Sequence, residues 1–354
     1  MTRILTSVFA GTAFAGPDLG GRREPVVSIS DLAGTELSNR LMAGVAQAET
    51  LGIDHLLIAQ RWWGNADEIE GSTYDCLAAT TFFAAHTKRM RLITAIHPGF
   101  FQPTQIAKWG ATIDRLTNGR WAINVTSGWN EEEFHQYGVD WLEHDERYRR
   151  SREFLEVVHG AWTNASYDHT GHFYRANGLR LEPRPVQKRL EVWQGGQSPA
   201  AMSMAADLSD WMFLNGGPPE KIASIISKVR ELCTETGRQV RFALYALPVC
   251  RATDAEAEEA VTAMVEATDA AVIERRRTRV AGAQGMWAPS DDPLIHLDTN
   301  EGFASRLIGS PATILERIAE FHRLGVDCLH TALHDRLFNA EVLPKIRDLS
   351  HNHE

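Results

Sequence analysis

The sequence predicts an α/β fold, a (β/α)8 TIM barrel with insertions, from three observations. The chain has 354 residues, which suits a barrel of about 250 residues with added loops. Short apolar runs rich in β-branched and aromatic residues alternate with segments of helical period, as repeated βα units require. Eight such runs occur, and eight parallel strands close a barrel.

The apolar runs define the predicted strands. The first run lies in MTRILTSVFAGTAFAG, a stretch that also imitates a secretory signal peptide. We interpret it as a strand, because the seven later runs need an eighth to close the barrel. The predicted strands are Ile4–Ala10, His55–Ala59, Arg91–Ile96, Trp121–Thr126, Leu190–Gln194, Trp211–Asn215, Arg241–Leu247 and Asp327–Ala332.

Apolar stripes between these runs predict the helices of an outer ring. Ile222, Ile226 and Val229 repeat at helical spacing. Ser310 followed by Pro311 has the N-cap and the first-position proline that open a helix. We interpret these stripes as core of the helical ring, without a catalytic role.

Two segments do not fit the repeat and are predicted to be insertions in a single domain that spans residues 1–354. They are Tyr167–Pro185 and Thr268–Gly309. The second holds several arginines and then the Gly- and Pro-rich stretch AGAQGMWAPSDDP, a composition typical of a mobile loop. We predict a lid there, with Arg277 or Arg279 approaching a bound ligand; a solvated basic helix end is the alternative.

The composition indicates which classes of partner and which cellular compartment to expect. A formal net charge of -10 opposes binding to nucleic acid, and no apolar run reaches the ~20 residues of a membrane span. The four cysteines form no CxxC pair, which argues against a zinc site or a disulfide framework. We therefore expect a cytoplasmic protein with a small-molecule substrate, and no nucleic-acid or membrane partner.

Polar residues follow several predicted strands, at the barrel face where active sites lie. The segment GGQSPAA, from Gly195 to Ala201, combines close backbone approach with a helix start at Pro199, and this is typical of an anion-binding helix N-terminus. An ordinary capped helix start is the alternative. The other candidates are Gln60, Arg61, Trp62, Trp63, His97, Asn124, Ser127, Trp129, Glu133, His330 and His334.

A metal site is the first rival interpretation. His97, His330 and His334 are candidate ligands at the same barrel face, but the first strand holds no histidine and the spacing of the last two leaves them without a third partner. Packing or hydrogen-bonding roles are favoured over a metal. Likewise, the tryptophans either stack on a planar cofactor or fill space.

Long collinear stretches resemble a known family. They are FQPTQIAKWGATIDRLTNGRWAINVTSGWNEEEF, WLEHDERYRRSREFL, VWQGGQSPAAMSMAADLSDWMFLNG, RLIGSP and LPKIRDL. These stretches resemble the bacterial-luciferase-like flavin-dependent monooxygenases, in particular the reduced-FMN-dependent dimethyl sulfone monooxygenases, and more distantly the pyrimidine and alkanesulfonate monooxygenases. The likeness covers nearly the whole chain.

The resemblance implies an enzyme that uses reduced FMN and O2, with the FMN reduced by a separate NAD(P)H:flavin reductase. It implies insertion of one oxygen atom into a small organic substrate, with dimethyl sulfone and C–S cleavage first among the candidates, and a homodimer or homotetramer. The chain itself has no GxGxxG after a strand for binding a nicotinamide.

The resemblance also implies site residues. Ser198 and the helix start behind it would hold the FMN phosphate, with Arg147 and Tyr148 neutralising and bonding it. Asn124 would face the flavin ring or bound oxygen, Trp129 would wall the oxygen pocket, and His97 would donate a proton or orient the substrate. The implied flavin contacts are Gln60, Arg61, Asn124, Glu133, Arg147, Tyr148, Gly196, Gln197 and Ser198.

The sequence departs from the family at one loop, and two alternative functions are compatible with the resemblance. The loop after the second strand reads QRWWGN and lacks the cysteine found there in alkanesulfonate enzymes, so a larger cyclic or heteroaromatic substrate is the alternative to a sulfone. A deazaflavin-dependent oxidoreductase of the same superfamily would move hydride without oxygen. A non-catalytic flavin-binding protein is the rival from another class.

Overall fold

The computed structural model describes residues 3–12, 30–63, 72–280, 290–298 and 300–351. Eight parallel strands close a barrel in the order β1-β12-β9-β8-β7-β4-β3-β2, and two small two-stranded sheets, β5-β6 and β10-β11, lie outside it. The strands are β1 (Leu5–Phe9), β2 (His55–Ile58), β3 (Arg91–Ile96), β4 (Trp121–Val125), β5 (Tyr167–Thr170), β6 (Arg175–Leu179), β7 (Val192–Gly195), β8 (Trp211–Leu214), β9 (Arg241–Tyr245), β10 (Pro248–Cys250), β11 (Leu307–Gly309) and β12 (Val326–Thr331).

Helices surround the barrel. They are α1 (Gly34–Thr50), α2 (Cys76–His86), α3 (Pro103–Thr117), α4 (Glu131–Gln136), α5 (His144–Thr163), α6 (Pro199–Leu208), α7 (Pro219–Thr236), α8 (Asp254–Glu266), α9 (Ala270–Val280), α10 (Pro311–Leu324) and α11 (Leu343–Ile346). Among the described residues, no helix is both long and apolar enough to cross a membrane.

The barrel prediction is confirmed. Each of the eight predicted runs contains or overlaps one barrel strand, with ends that differ by two residues at most. The run taken as the first strand pairs in register with both neighbours, Leu5 with Cys328 and Ser7 with His55. The N-terminal segment therefore closes the barrel.

Alternate side chains of the strands fill the barrel interior, as the period of two requires. At one level of this core the indole rings of Trp193 and Trp211, on neighbouring strands, stack with centroids 4.4 Å apart and planes 12° apart. Arg241 lies over the second indole, 3.9 Å from the ring centroid. Aromatic side chains thus fill one part of the barrel interior, and polar side chains lie at the carboxyl ends of the strands.

The predicted helical stripes are buried as expected. Ile222, Ile226 and Val229 of α7 are all at most 1% exposed. Ser310 caps α10, where its Oγ accepts a hydrogen bond from the Thr313 N–H at 3.4 Å. The four cysteines are buried free thiols.

The first predicted insertion contains the antiparallel hairpin β5–β6. The hairpin is tied to the barrel by Glu153 of α5, whose carboxylate accepts backbone N–H bonds from His172 at 3.1 Å, Phe173 at 2.9 Å and Tyr174 at 2.7 Å. These bonds, together with a contact to His169, hold the pKa of Glu153 below its usual value, although burial alone would raise it.

The second predicted insertion is described only in part. It contributes α9, two short 3-10 turns (Pro293–Leu297 and Gly302–Ser305) and β11, which pairs with β10. Residues 281–289 lie outside the described residues. Arg277 donates to the Ser290 carbonyl at 3.3 Å, and the side chain of Arg279 is not described. A lid over the ligand stays a prediction.

Candidate active site

A cavity opens at the carboxyl ends of six barrel strands, where the sequence places most of its candidate residues. It encloses about 710 Å³ of space, some of it open to solvent. Five strands and the loops after them supply most of the wall, and β1 supplies Phe9. The lining residues are Phe9, Leu57, Ala59, Gln60, Arg61, Ala95, His97, Asn124, Thr126, Trp129, Gly195, Gly196, Phe213, Asn215 and Asn300.

The lining combines apolar side chains with carboxamides. Gln60 and Asn124 are 2% and 6% exposed, and within the described part of the chain neither Gln60 Nε2 nor Asn124 Oδ1 has a hydrogen-bond partner. Buried polar atoms are normally paired, so these two atoms await a ligand or water. Arg61 is the one permanently charged side chain in the described lining.

His97 is held at the cavity wall by the loop after β2 and by helix α4. Its backbone N–H donates to Gln60 Oε1 at 2.9 Å, and its ring Nδ1 lies 3.1 Å from Glu133 Oε2. The other carboxylate oxygen of Glu133 accepts the Trp62 N–H at 2.8 Å. Glu133 is therefore turned toward His97 and the loop after β2.

The GGQSPAA segment forms a helix start beside Tyr148. Ser198 caps α6 by accepting the Ala201 N–H at 3.3 Å, and Gly196 has a φ of +110°. The Tyr148 hydroxyl hydrogen-bonds to Ser198, and burial raises the pKa of Tyr148, so the hydroxyl stays protonated. Gln197 is 7% exposed, and its Nε2 finds no partner among the described residues.

Arg147, the charged residue among the predicted phosphate ligands, contacts a tryptophan ring and a backbone carbonyl. Its guanidinium lies 3.8 Å from the ring centroid of Trp141, and Nη1 donates to the Leu142 carbonyl at 2.6 Å. Its buried Nε has no partner in the described structure. The arginine lies next to Tyr148 in α5, and neither residue is part of the described cavity lining.

The three candidate metal histidines do not converge. His330 is fully buried with Nδ1 2.9 Å from Ser7 Oγ, and burial lowers its pKa to about 3, which keeps the ring neutral. His334 lines a second cavity with Arg251 and Asp335. No group of three or more His, Cys, Asp or Glu side chains suited to a metal ion occurs in the described ranges.

The predicted aromatic residues divide between two environments. Trp129 lines the cavity and meets Trp63 edge to face, with centroids 5.6 Å apart. Trp62 packs instead against Phe100 and Phe101, at 5.5 and 5.6 Å. Trp62 is therefore in an aromatic cluster beside the cavity, and Trp129 is in its wall.

Several lining residues escaped prediction from the sequence. Phe9, Thr126, Phe213 and Asn215 lie at strand ends, and the alternation of inward positions along each predicted strand was a usable signal for them. Asn300 comes from the second insertion, and its carbonyl accepts the Gly216 N–H at 2.8 Å. No local pattern indicates that contact.

Comparison with known proteins gives a consistent assignment. A model of the luciferase-like monooxygenase family matches residues 27–328. The chain is 36% identical over 325 residues to the "FMNH(2)-dependent dimethylsulfone monooxygenase" of Pseudomonas putida, covering 88% of each chain. It is also 36% identical to the enzyme of that description from Pseudomonas fluorescens, covering 88% of this chain and 87% of the relative.

Solved structures share the fold at lower identity. DmoA from Hyphomicrobium sulfonivorans superposes with a TM-score of 0.75 and 19% identity, covering 100% of this chain and 90% of that one. A long-chain alkane monooxygenase, LadA, gives a TM-score of 0.78 and 18% identity, with coverage of 99% and 92%. These likenesses support the barrel architecture and not a substrate.

Proposed function

The chain belongs to the luciferase-like monooxygenase family, and from that premise we propose that it is the oxygenase of a two-component system. In this proposal it takes up reduced FMN, supplied by a separate NAD(P)H:flavin reductase, and inserts one oxygen atom from O2 into a small organic substrate. Dimethyl sulfone is the substrate that we place first. The observation that carries the proposal is the strand-end cavity with its unpartnered carboxamides beside a capped helix start.

The lining fits a flavin in its chemistry. A flavin ring system has flat apolar faces and an edge of nitrogen and oxygen atoms. Phe9, Leu57 and Phe213 offer apolar surface, and Gln60 and Asn124 offer a buried donor and a buried acceptor that lack partners in the described chain. When bound, reduced FMN supplies the two electrons that activate O2.

The residues at the start of α6 fit the phosphate group. The first backbone N–H groups of a helix and its dipole favour an anion, and the Tyr148 and Ser198 hydroxyls and Gln197 Nε2 lie at or beside this helix start. In the proposal Arg147 adds positive charge from α5, and its Nε–H, which has no partner among the described residues, is available as a donor. This site anchors the cofactor tail away from the reacting atoms.

The remaining wall residues have roles in excluding water and in orienting the reactants. We assign Asn124 to the reacting oxygen, because its carboxamide is buried on β4 within the cavity. Trp129 shields the cavity, and Arg61 contributes the one fixed positive charge of the described lining. A dry, preorganised site strengthens each of these polar interactions.

A neutral sulfone suits this lining. Its two oxygens accept hydrogen bonds from carboxamides and its two methyl groups contact apolar side chains. Oxidation would consume O2, two electrons and two protons. It would break one C–S bond and yield methanesulfinic acid, formaldehyde and water. The relatives at 36% identity support sulfone as the first substrate to test.

The experiment is a reconstituted reaction with flavin reductase, NADH, FMN, O2 and dimethyl sulfone, followed by mass spectrometry of both products. We expect methanesulfinate and formaldehyde with the reductase and neither without it. Turnover with NADH alone contradicts the two-component scheme. Consumption of only larger cyclic or heteroaromatic substrates rejects the sulfone, and oxygen-independent turnover with a reduced deazaflavin rejects the monooxygenase chemistry.

The expected assembly is a homodimer or homotetramer, and the expected location is the cytoplasm. Light scattering of the purified protein measures the first, and cell fractionation the second. A monomer at micromolar concentration contradicts the assembly.

A further inference from the structure

Glu133 is almost fully buried and joins two loops of the active-site face. Its residue exposure is 1% and that of His97 is 4%. One carboxylate oxygen accepts the Trp62 N–H at 2.8 Å, and the other lies 3.1 Å from His97 Nδ1. A buried carboxylate needs such partners to offset its desolvation, and here both partners are protein groups.

These contacts leave His97 little freedom. The backbone N–H of His97 donates to Gln60 Oε1 at 2.9 Å, and the ring of Phe100 lies edge-on with centroids 6.2 Å apart. The loop after β2 and helix α4 therefore both hold His97, the first through its backbone and the second through its ring. Rotation of the ring would break its bond to Glu133.

The pairing determines the tautomer of His97. An ionised carboxylate only accepts hydrogen bonds, so Nδ1 must carry the proton in the His97–Glu133 pair. Nε2 then carries a lone pair in the neutral ring. No hydrogen bond to Nε2 occurs among the described residues, and the residue lines the cavity.

We propose that Glu133 is a positioning residue that holds His97 with Nε2 as the proton acceptor and carrier of the cavity. In this role it contacts no flavin, in contrast to the contact that the family resemblance implies. His97 takes a proton at Nε2 from the substrate or from a water molecule. It then gives this proton to the water that the reaction forms as a product, so the imidazole ends unchanged. Glu133 balances the charge of the ring while it holds that proton. The catalytic part of this inference rests on the proposed function.

The key variant is Glu133→Gln. Its amide oxygen can keep the Trp62 bond while its NH2 group faces Nδ1, so Nδ1 must become the acceptor and the proton must move to Nε2. Glu131→Gln is the matched control, because Glu131 lies on the same short helix with a side chain 57% exposed. His97→Asn removes the ring and assigns its resonances.

The first measurement is the ¹⁵N spectrum of histidine-labelled protein, with and without FMN. We expect a protonated Nδ1 in the wild type and in the control, and a protonated Nε2 in Glu133→Gln. The second is FMN affinity, which we expect to stay within about twofold in Glu133→Gln. Both measurements are independent of any substrate, so they test the pair even if the sulfone proposal fails.

The third measurement is coupled turnover in a double-mutant cycle. Glu133→Gln should lower the yield of oxygenated product per NADH by about tenfold or more, and should have no further effect in the His97→Asn background. Additive losses would mean that Glu133 acts through Trp62, and a tenfold loss of FMN affinity would make it a flavin ligand; either result overturns the proposal. If Glu133→Gln does not fold, the wild-type spectrum still tests the proposal, because a proton on Nε2 in place of Nδ1 would overturn it.

Discussion

Replacing Gly196 by alanine tests the predicted phosphate site directly. Gly196 has a φ of +110°, and a Cβ there would lie 2.6 Å from the Tyr148 hydroxyl and 3.2 Å from Ala201 Cβ. The first distance is shorter than real Cβ atoms tolerate, so the hydroxyl must move. Because that hydroxyl bonds Ser198, the substitution should disturb the whole helix start.

The expected cost has two parts. An alanine at this φ costs about 1–2 kcal/mol in backbone strain. Displacing the bond between Tyr148 and Ser198 adds about 1 kcal/mol. Gly196→Ala should therefore lose about 2–3 kcal/mol of unfolding free energy. If the displaced hydroxyl also contacts FMN, about 1.4 kcal/mol of binding is lost, a tenfold weaker affinity.

The assay is urea unfolding together with an anaerobic titration of reduced FMN. Gly237→Ala is the matched control, because Gly237 has a φ of +66° and nothing within 4 Å of a built Cβ. It should show the backbone cost alone and normal FMN affinity. In Tyr148→Phe the bond to Ser198 is already absent, and the nearest remaining atom of the former tyrosine would lie 3.9 Å from the added Cβ. Adding Gly196→Ala to Tyr148→Phe should therefore cost only the backbone strain seen in the control, while FMN affinity stays weak.

Two results would refute this account. Equal stability losses in Gly196→Ala and Gly237→Ala would show that no close contact with the Tyr148 hydroxyl exists. Unchanged FMN affinity in the double variant would remove the hydroxyl from the phosphate site.

Three further predictions follow from other contacts. Asn124→Ala should keep most of its flavin affinity but release hydrogen peroxide in place of oxygenated product; a normal ratio of peroxide to product would remove Asn124 from oxygen chemistry. Arg147→Ala should weaken binding of reduced FMN by about 1.5–3 kcal/mol, which titration under nitrogen measures, and an unchanged Kd would exclude Arg147 from the site. Glu153→Gln should destabilise the protein at neutral pH by about 2–3 kcal/mol, because charged hydrogen bonds to the hairpin are lost. Since the folded-state pKa of Glu153 is lowered, the wild type should lose this advantage as the pH falls through that value, so the two proteins should converge in acid; a constant difference would contradict the linkage.

The barrel was predictable because its strands carry a strong local pattern. Runs such as Arg91–Ile96 and Trp211–Asn215 are mainly apolar, without a regular alternation of polar residues, as expected for strands covered on both faces. Ile4–Ala10 needed a count of strands as well, since its local sequence also suits a leader peptide. The hairpin β5–β6 was located only as an insertion, because its two strands have a single buried residue between them and so lack an apolar run.

The candidate site was predictable where it depends on strand ends. Gln60, His97, Asn124 and Trp129 all reach the same cavity, because parallel strands bring their carboxyl ends together. The bond between His97 and Glu133 joins residues 36 positions apart, and no periodic pattern specifies which side chain a buried carboxylate will contact. Asn300 required the path of an irregular insertion, which composition alone does not determine.

The pairing of β1 with β12 has a consequence for biosynthesis. Ser7 and His330, which hydrogen-bond across this seam, are 323 residues apart. At about 5–20 residues per second, the ribosome would make the second of them about 16–65 s after the first. Phe9 of β1 and Asn300 of the second insertion both line the cavity, so the cavity wall cannot be complete until the chain has been made beyond Asn300. Until the last strand emerges, β1 presents an unpaired apolar edge, and this interval is when we expect the chain to depend most on chaperones.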